Sequence, residues 1–150
     1  MSDPEPGRER SLMLPADLAS AMLEHARAEL PNEACGLVSG SIQTGDAVAF
    51  HPARNSERSA LRYTVHPDDL LRIILEIEDA GRDLVGIFHS HTHSPAVPSA
   101  TDLRVSMYPD PFYVLATLAD PDASPERALR AWRIRDGQSA EVSLRIAATD

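Results

Sequence analysis

The chain has 150 residues, 43% of them hydrophobic, enough for one well-buried domain and short for two. A formal net charge of -9 without a basic run or aromatic ladder argues against a phosphate-binding surface and against nucleic acid as a partner. A single cysteine, Cys35, excludes an internal disulfide framework and any zinc site built from several thiolates. No apolar stretch reaches the roughly 18 residues of a membrane helix. Residues 1–10 are polar and lack a leader pattern, so the expectation is a cytoplasmic protein with no membrane partner.

In chain order, 1–10 reads as a disordered segment and 11–150 as one domain. Leu18, Ala19, Met22, Leu23, Ala26 and Leu30 recur at helical spacing between Pro15 and Pro31. His25, at the edge of that stripe, reads as a packing or surface residue. Segments 35–40 and 46–51 read as strands around a turn containing Gly45, with Cys35 a small buried residue rather than a catalytic thiol. Tyr63-Thr64-Val65 reads as a short third strand. A second helix is expected over 68–80, where Leu70, Leu71, Ile73, Ile74, Leu75 and Ile77 spread over a face too wide for a surface helix; it should lie deep against the sheet. A buried strand over 84–91, a short helix over 101–107 and an apolar strand over 112–118 follow. Val142, Leu144 and Ile146 alternate with Glu141, Ser143 and Arg145, and Asp136-Gly137 before them predicts a hairpin with 128–134. Trp132, Phe112 and Tyr113 read as packing residues. This mixed order predicts an α/β sandwich.

The run Asp83 to Phe88 delivers His89-Ser90-His91 to the end of a buried strand. Residues two apart share a face of a strand, so the two imidazoles project together while Ser90 points the other way. Past Pro95 and Pro98, Ser99-x-x-Asp102 has the form of a helix start. Alone it would be an ordinary capping pair, but beside two histidines it offers a carboxylate held toward the preceding loop. Two imidazoles and one carboxylate leave the fourth tetrahedral position of zinc open, which is the catalytic rather than the structural arrangement. His93 shares the parity of the two histidines, yet the nearby prolines place it past the strand's end. It reads first as a solvated loop residue, with a substrate-facing role or replacement of Asp102 on the metal as alternatives.

Together with Glu33 upstream, these residues resemble the JAMM, or MPN-plus, metalloprotease motif, Glu…His-x-His-x7-Ser-x2-Asp, with every position filled. The segment 31–40 is similar to the strand that carries the family's glutamate, and residues from about 12 to 147 can be laid on its domain. Asn55-Ser56-Glu57-Arg58-Ser59 before Tyr63, Thr92 after the second histidine, and Pro98-Ser99-Ala100-Thr101-Asp102 extend the resemblance. They point to the actinobacterial branch that hydrolyses a cysteine adduct from a ubiquitin-like sulfur carrier protein. Thr92 departs from the proline that many JAMM sequences carry there.

The resemblance implies a single-domain JAMM/MPN, cytidine-deaminase-like α/β/α sandwich with a central mixed sheet flanked by helices. It implies one zinc ion per chain on His89, His91 and Asp102, with Glu33 as general base and Ser99 Oγ as donor to the developing oxyanion. The implied partner is a ubiquitin-like sulfur carrier protein ending in Gly-Gly, cut after the glycine with release of cysteine. Asn55 and His93 are candidate substrate-binding residues; His51, Arg58, Arg62 and His66 are candidates for the groove's border. Trimming of a carrier precursor and a deubiquitinase-like hydrolysis are alternatives of the same chemistry. A noncatalytic MPN-type binding scaffold is the alternative of another class, and the complete metal set argues against it. A nucleoside deaminase is disfavoured because its His-x-Glu and Cys-x-x-Cys ligands are absent.

Overall fold

Apolar side chains at alternate strand positions sort onto the two faces of one sheet, as a period of two requires. The computed structural model describes residues 11–148; the segment 1–10, expected to be disordered, lies outside them. In chain order the described residues form β1 (Ser11–Pro15), α1 (Ala16–Ala28), β2 (Cys35–Ser41), β3 (Asp46–Ala53), α2 (Pro67–Asp79) and β4 (Asp83–His91). They continue with α3 (Ala100–Val105), β5 (Phe112–Thr117), α4 (Pro125–Ala128), β6 (Leu129–Arg135) and β7 (Gln138–Ala147).

The sheet runs β1-β3-β2-β4-β5-β6-β7 and is mixed, as expected. β4 sits inside it, antiparallel to β2 and parallel to β5, which fixes the position of its last residues from both sides. The sheet also closes on itself, because β1 pairs in parallel with β7 from Ser11–Ser143 to Pro15–Ala147 and with β3 at Met13–Asp46. Neither β1 nor α4 is legible in the periodicities. β1 is five residues long, and its partners lie at the far end of the chain, so nothing local marks it.

One face carries Val38, Phe88, Phe112, Val114 and Ala116 against α1 and β1. α1 buries Ala19, Met22, Leu23 and Ala26 of the stripe expected from sequence, with Leu18 partly buried and Leu30 past the helix end and 46% exposed. It touches β1, β3, β4, β5 and β7, so the sheet curls around it. The opposite face carries Leu37, Ile87, Tyr113 and Leu115 against α2. β5 alternates strictly between the two clusters. Gly36 permits a close approach within the β2–β3 pair, since a Cβ there would stand 2.7 Å from the His51 carbonyl oxygen.

Two expectations are corrected. α2 does not lie deep: it buries Asp69, Ile73 and Ile77, while Leu71 and Leu75 are 62% and 51% exposed. Among the described residues, the sheet covers one side of this helix and leaves Leu71 and Leu75 exposed on the other. Tyr63-Thr64-Val65 is not a strand, and only an isolated bridge joins Asn55 to Val65. The Thr64 amide donates to Asn55 Oδ1 at 3.1 Å, so a side chain takes the bond a neighbouring strand would have taken.

Candidate metal centre

His89 and His91 close β4 on the α2 face, in line with Ile87. Asp102 reaches the same point from the first turn of α3, and all three are buried. His89 Nε2 and His91 Nε2 lie 3.3 Å apart, and Asp102 Oδ2 lies 3.2 Å from the first and 3.1 Å from the second. Zinc bonds of about 2.0–2.1 Å at tetrahedral angles set ligand atoms about 3.3 Å apart, so this near-equilateral triangle has the dimensions of three corners around one ion. The donor set, two ring nitrogens and one carboxylate oxygen, suits the same ion.

The surroundings orient the triangle. His91 Nδ1 lies 2.7 Å from the Pro95 carbonyl oxygen, which can only accept, so Nδ1 carries the proton and Nε2 presents its lone pair. Burial holds His89 below the ordinary imidazole pKa against the pull of Asp102, which keeps it neutral. At His91 burial also lowers the pKa, but hydrogen bonds to Asp102 and Pro95 outweigh it and the net shift is upward. Burial pushes Asp102 up, and the two histidines with the Ser99 amide pull it well below the carboxylate range.

Ser99-x-x-Asp102 is at once the capping pair and part of the triangle. Ser99 N–H donates to Asp102 Oδ2 at 2.9 Å, and Asp102 N–H donates to Ser99 Oγ at 3.0 Å. The cap fixes the carboxylate in place, and the Ser99 hydroxyl proton stays available to a further acceptor.

Glu33 precedes β2 and is brought to the cluster by its neighbour. Ala34 N–H donates to Ser90 Oγ at 2.8 Å, and Ser90 N–H donates to the Ala34 carbonyl at 3.0 Å, stapling this segment to the residue between the two histidines. Glu33 Oε1 is buried with no hydrogen-bond partner. Burial pushes the Glu33 carboxyl from 4.5 up to about 7, opposed by His91 and reinforced by Asp102 and Glu57. A buried acceptor left open on a carboxyl that feels the charges of His91 and Asp102 fits a centre that holds both a cation and a polar reactant.

His93 is exposed past the end of β4, and Asp102 rather than His93 meets the imidazoles. Asn55 is buried, and its amide is saturated inside the protein. It donates to the carbonyls of Glu33 (3.1 Å) and Arg62 (3.0 Å) and accepts from the amides of Glu57 (3.0 Å) and Thr64 (3.1 Å). Of the border candidates, His66 caps α2 by accepting from Asp68 N–H, and His51 bonds Ser39 Oγ at 3.0 Å. None of His51, Asn55, Arg58, Arg62 and His66 lines the groove beside the cluster. That groove of about 280 Å³ takes in His89, Asp102, Tyr63, Leu70, Ile87 and Tyr108. A larger depression of about 460 Å³ over α4, β6 and β7 contains none of the candidate residues.

Sequence reasoning missed Tyr63, whose ring stacks on His89 with centroids 4.4 Å apart and planes at 21°. It also missed the Pro95 carbonyl and the Ser90 staple. A backbone carbonyl carries no residue-type signal, and Ser90 was legible only as facing away from the histidines.

A mixed sheet between helical layers, with a His-x-His strand end closed by an Asp in the next helix, defines a JAB-type domain whose three converging donors have the spacing of a metal site. The chain belongs to the family of prokaryotic homologs of the JAB domain, whose model matches residues 15–135. It is 37% identical to the CysO-cysteine peptidase of Mycobacterium tuberculosis over 135 residues, 90% of each chain. It is 35% identical to the desampylase of Haloferax volcanii over 140 residues, 90% of this chain and 96% of that one. The solution structure of a Desulfitobacterium hafniense protein superposes with a TM-score of 0.82 at 29% identity, covering 92% of this chain and 94% of the other. Among the described residues, no helix is long and apolar enough to cross a membrane.

Proposed function

We propose that this protein is a zinc-dependent peptidase that hydrolyses the amide bond after the C-terminal Gly-Gly of a ubiquitin-like sulfur carrier protein and releases cysteine. The observation that carries the reading is the triangle of His89, His91 and Asp102 beside the open Glu33 carboxyl. The likeness to a CysO-cysteine peptidase over nine-tenths of both chains supports the substrate class.

His89, His91 and Asp102 hold one zinc ion per chain. Bound there, zinc supplies Lewis acidity, which lowers the pKa of water and polarises an amide carbonyl. Glu33, a buried carboxyl with one oxygen unpartnered, takes a proton from the attacking water and returns it to the departing amine. General acid-base help of this kind is worth about 10²- to 10⁴-fold. Ser99 Oγ donates its free proton to the carbonyl oxygen as it turns negative. The groove beside His89 and Asp102 is walled by Tyr63, Leu70, Ile87 and Tyr108, an apolar channel suited to an extended tail whose glycines let its backbone come close.

The test is intact mass spectrometry of a candidate carrier bearing cysteine after its Gly-Gly, incubated with zinc-loaded protein. A loss of one cysteine residue is expected from the wild type and not from His89→Ala, which should lose its zinc. Loss of a longer tail would point instead to precursor trimming. Stoichiometric zinc with no cleavage of any carrier conjugate would favour a binding scaffold.

A further inference from the structure

We propose that Asn55 is a positioning residue that holds the general base and the loop over the metal ligands in one rigid unit; this rests on the peptidase reading of the site. Residues 55–65 leave the end of β3 and return to the start of α2. The loop's neck is closed by the Asn55–Val65 bridge, by Ser56 N–H donating to the Thr64 carbonyl at 2.9 Å and by Asn55 Oδ1 accepting from Glu57 and Thr64. Within the loop, Tyr63 lies flat against His89.

The other half of the same amide points out of the loop. Asn55 Nδ2 donates to the carbonyl of Glu33 itself at 3.1 Å, and Glu33 N–H donates back to the Ser59 carbonyl at 2.7 Å. Thr92 Oγ1 adds a tether from the residue after His91 to the Ala60 carbonyl at 3.3 Å. One buried side chain therefore joins the backbone of the proposed base to the segment that packs on a proposed metal ligand. Only a carboxamide can do this, since it combines two donors and two acceptor lone pairs on one short stem. With all four engaged, no polar valence of Asn55 remains for a substrate. A carboxylate base displaced by about 1 Å loses much of its effect, and a backbone anchor two bonds from its Cα is a direct way to prevent that.

Asn55→Asp separates the two halves of the clip. It keeps the acceptors for Glu57 and Thr64 and removes the donors to Glu33 and Arg62. The zinc-loaded variant should lose tenfold or more in kcat for the cysteine-bearing carrier, with KM within threefold of wild type and zinc stoichiometry unchanged. Amide hydrogen exchange should be at least tenfold faster at Glu33 while Glu57, Thr64 and the β4 core amide of Phe88 keep their protection. Thr92→Val, which cuts the weaker tether, should move kcat in the same direction by a smaller factor and serves if the aspartate variant does not fold.

A raised KM at unchanged kcat would make Asn55 a substrate contact and overturn the proposal. Unchanged kcat with faster exchange at Glu33 would overturn it too, and so would equally faster exchange at Glu33 and Phe88, which reports a merely structural role. If wild-type protein cleaves no carrier conjugate, the functional reading fails by itself. The exchange pattern then still decides whether Asn55 locks Glu33 to the loop.

Discussion

Glu33 is a carboxyl in a place that disfavours its charge. Burial raises its pKa from 4.5 to about 7, and one of its oxygens finds no partner. Below about pH 4.5 the group is neutral in the folded and unfolded chains alike, so it costs nothing. Between that value and about 7 the unfolded chain ionises first, and stability falls as pH rises. Above pH 7 the full cost is present in metal-free protein. Glu33→Gln should therefore raise the Tm of the metal-free protein at pH 8, with the advantage shrinking to little by pH 5. It should leave zinc bound and reduce turnover by about 10²- to 10⁴-fold. A glutamine variant less stable than wild type at pH 8 would contradict the electrostatic account of this residue. Zinc loss in that variant would instead make Glu33 a ligand.

At the scale of elements, the end of β3 and the start of α2 are joined by a charge. Asp69, in the first turn of α2, accepts from the Arg54 guanidinium at 3.0 Å through each of two nitrogens and from the Arg54 backbone amide at 2.8 Å. These bonds, the guanidinium's first and the backbone amide's second, hold the Asp69 carboxyl well below its ordinary 3.8. The guanidinium is more than half exposed, so solvent screens its share of the stabilisation, and the part-buried amide bond adds to it. Asp69→Asn should cost about 1–2 kcal/mol at pH 7, read by urea unfolding. The stabilisation is present above the ordinary carboxylate pKa and is lost as pH falls through the depressed folded value, so wild type and variant should converge in acid. Such side-chain clips mark where sequence reading stops. β4, α1 and α3 were legible because their signals are local: an apolar run, a stripe at 3.6-residue spacing, and a capping pair. The same periodicity showed α2 to be a helix but not its depth, since burial depends on what the rest of the chain places over Leu71 and Leu75. His89, His91 and Asp102 were legible as a set because spacing along one strand and one helix start fixes their directions. Tyr63 was read as a strand because the bonds that hold its loop come from Asn55, a residue type with no periodic signature.

For the whole molecule, closure of the sheet depends on its shortest described strand. β1 joins β7 to β3, so the last strand of the chain and the third share one ring through five residues. Leu12 and Leu14 are fully buried in the cluster that also holds Phe88, and Phe88 immediately precedes His89 on β4. The geometry of His89 and His91 is thus continuous with a core that β1 completes from the far side of the sheet. The two clusters on opposite faces of the closed sheet share β2, β3, β4, β5 and β6, while β1 and β7 contribute to the α1-side cluster alone. Those five shared strands favour a single cooperative transition for a chain of this size. Leu14→Ala should cost about 2–5 kcal/mol, although it lies on the opposite face from the histidines. Thermal unfolding followed by the fluorescence of Trp132, on the α2 face, should shift by the same amount as unfolding followed by far-ultraviolet circular dichroism. Zinc release on heating should move with both. If the β1 region melted first while Trp132 and the zinc stayed put, the ring would be an ornament on an independently stable sheet, and cooperativity across its two faces would be wrong.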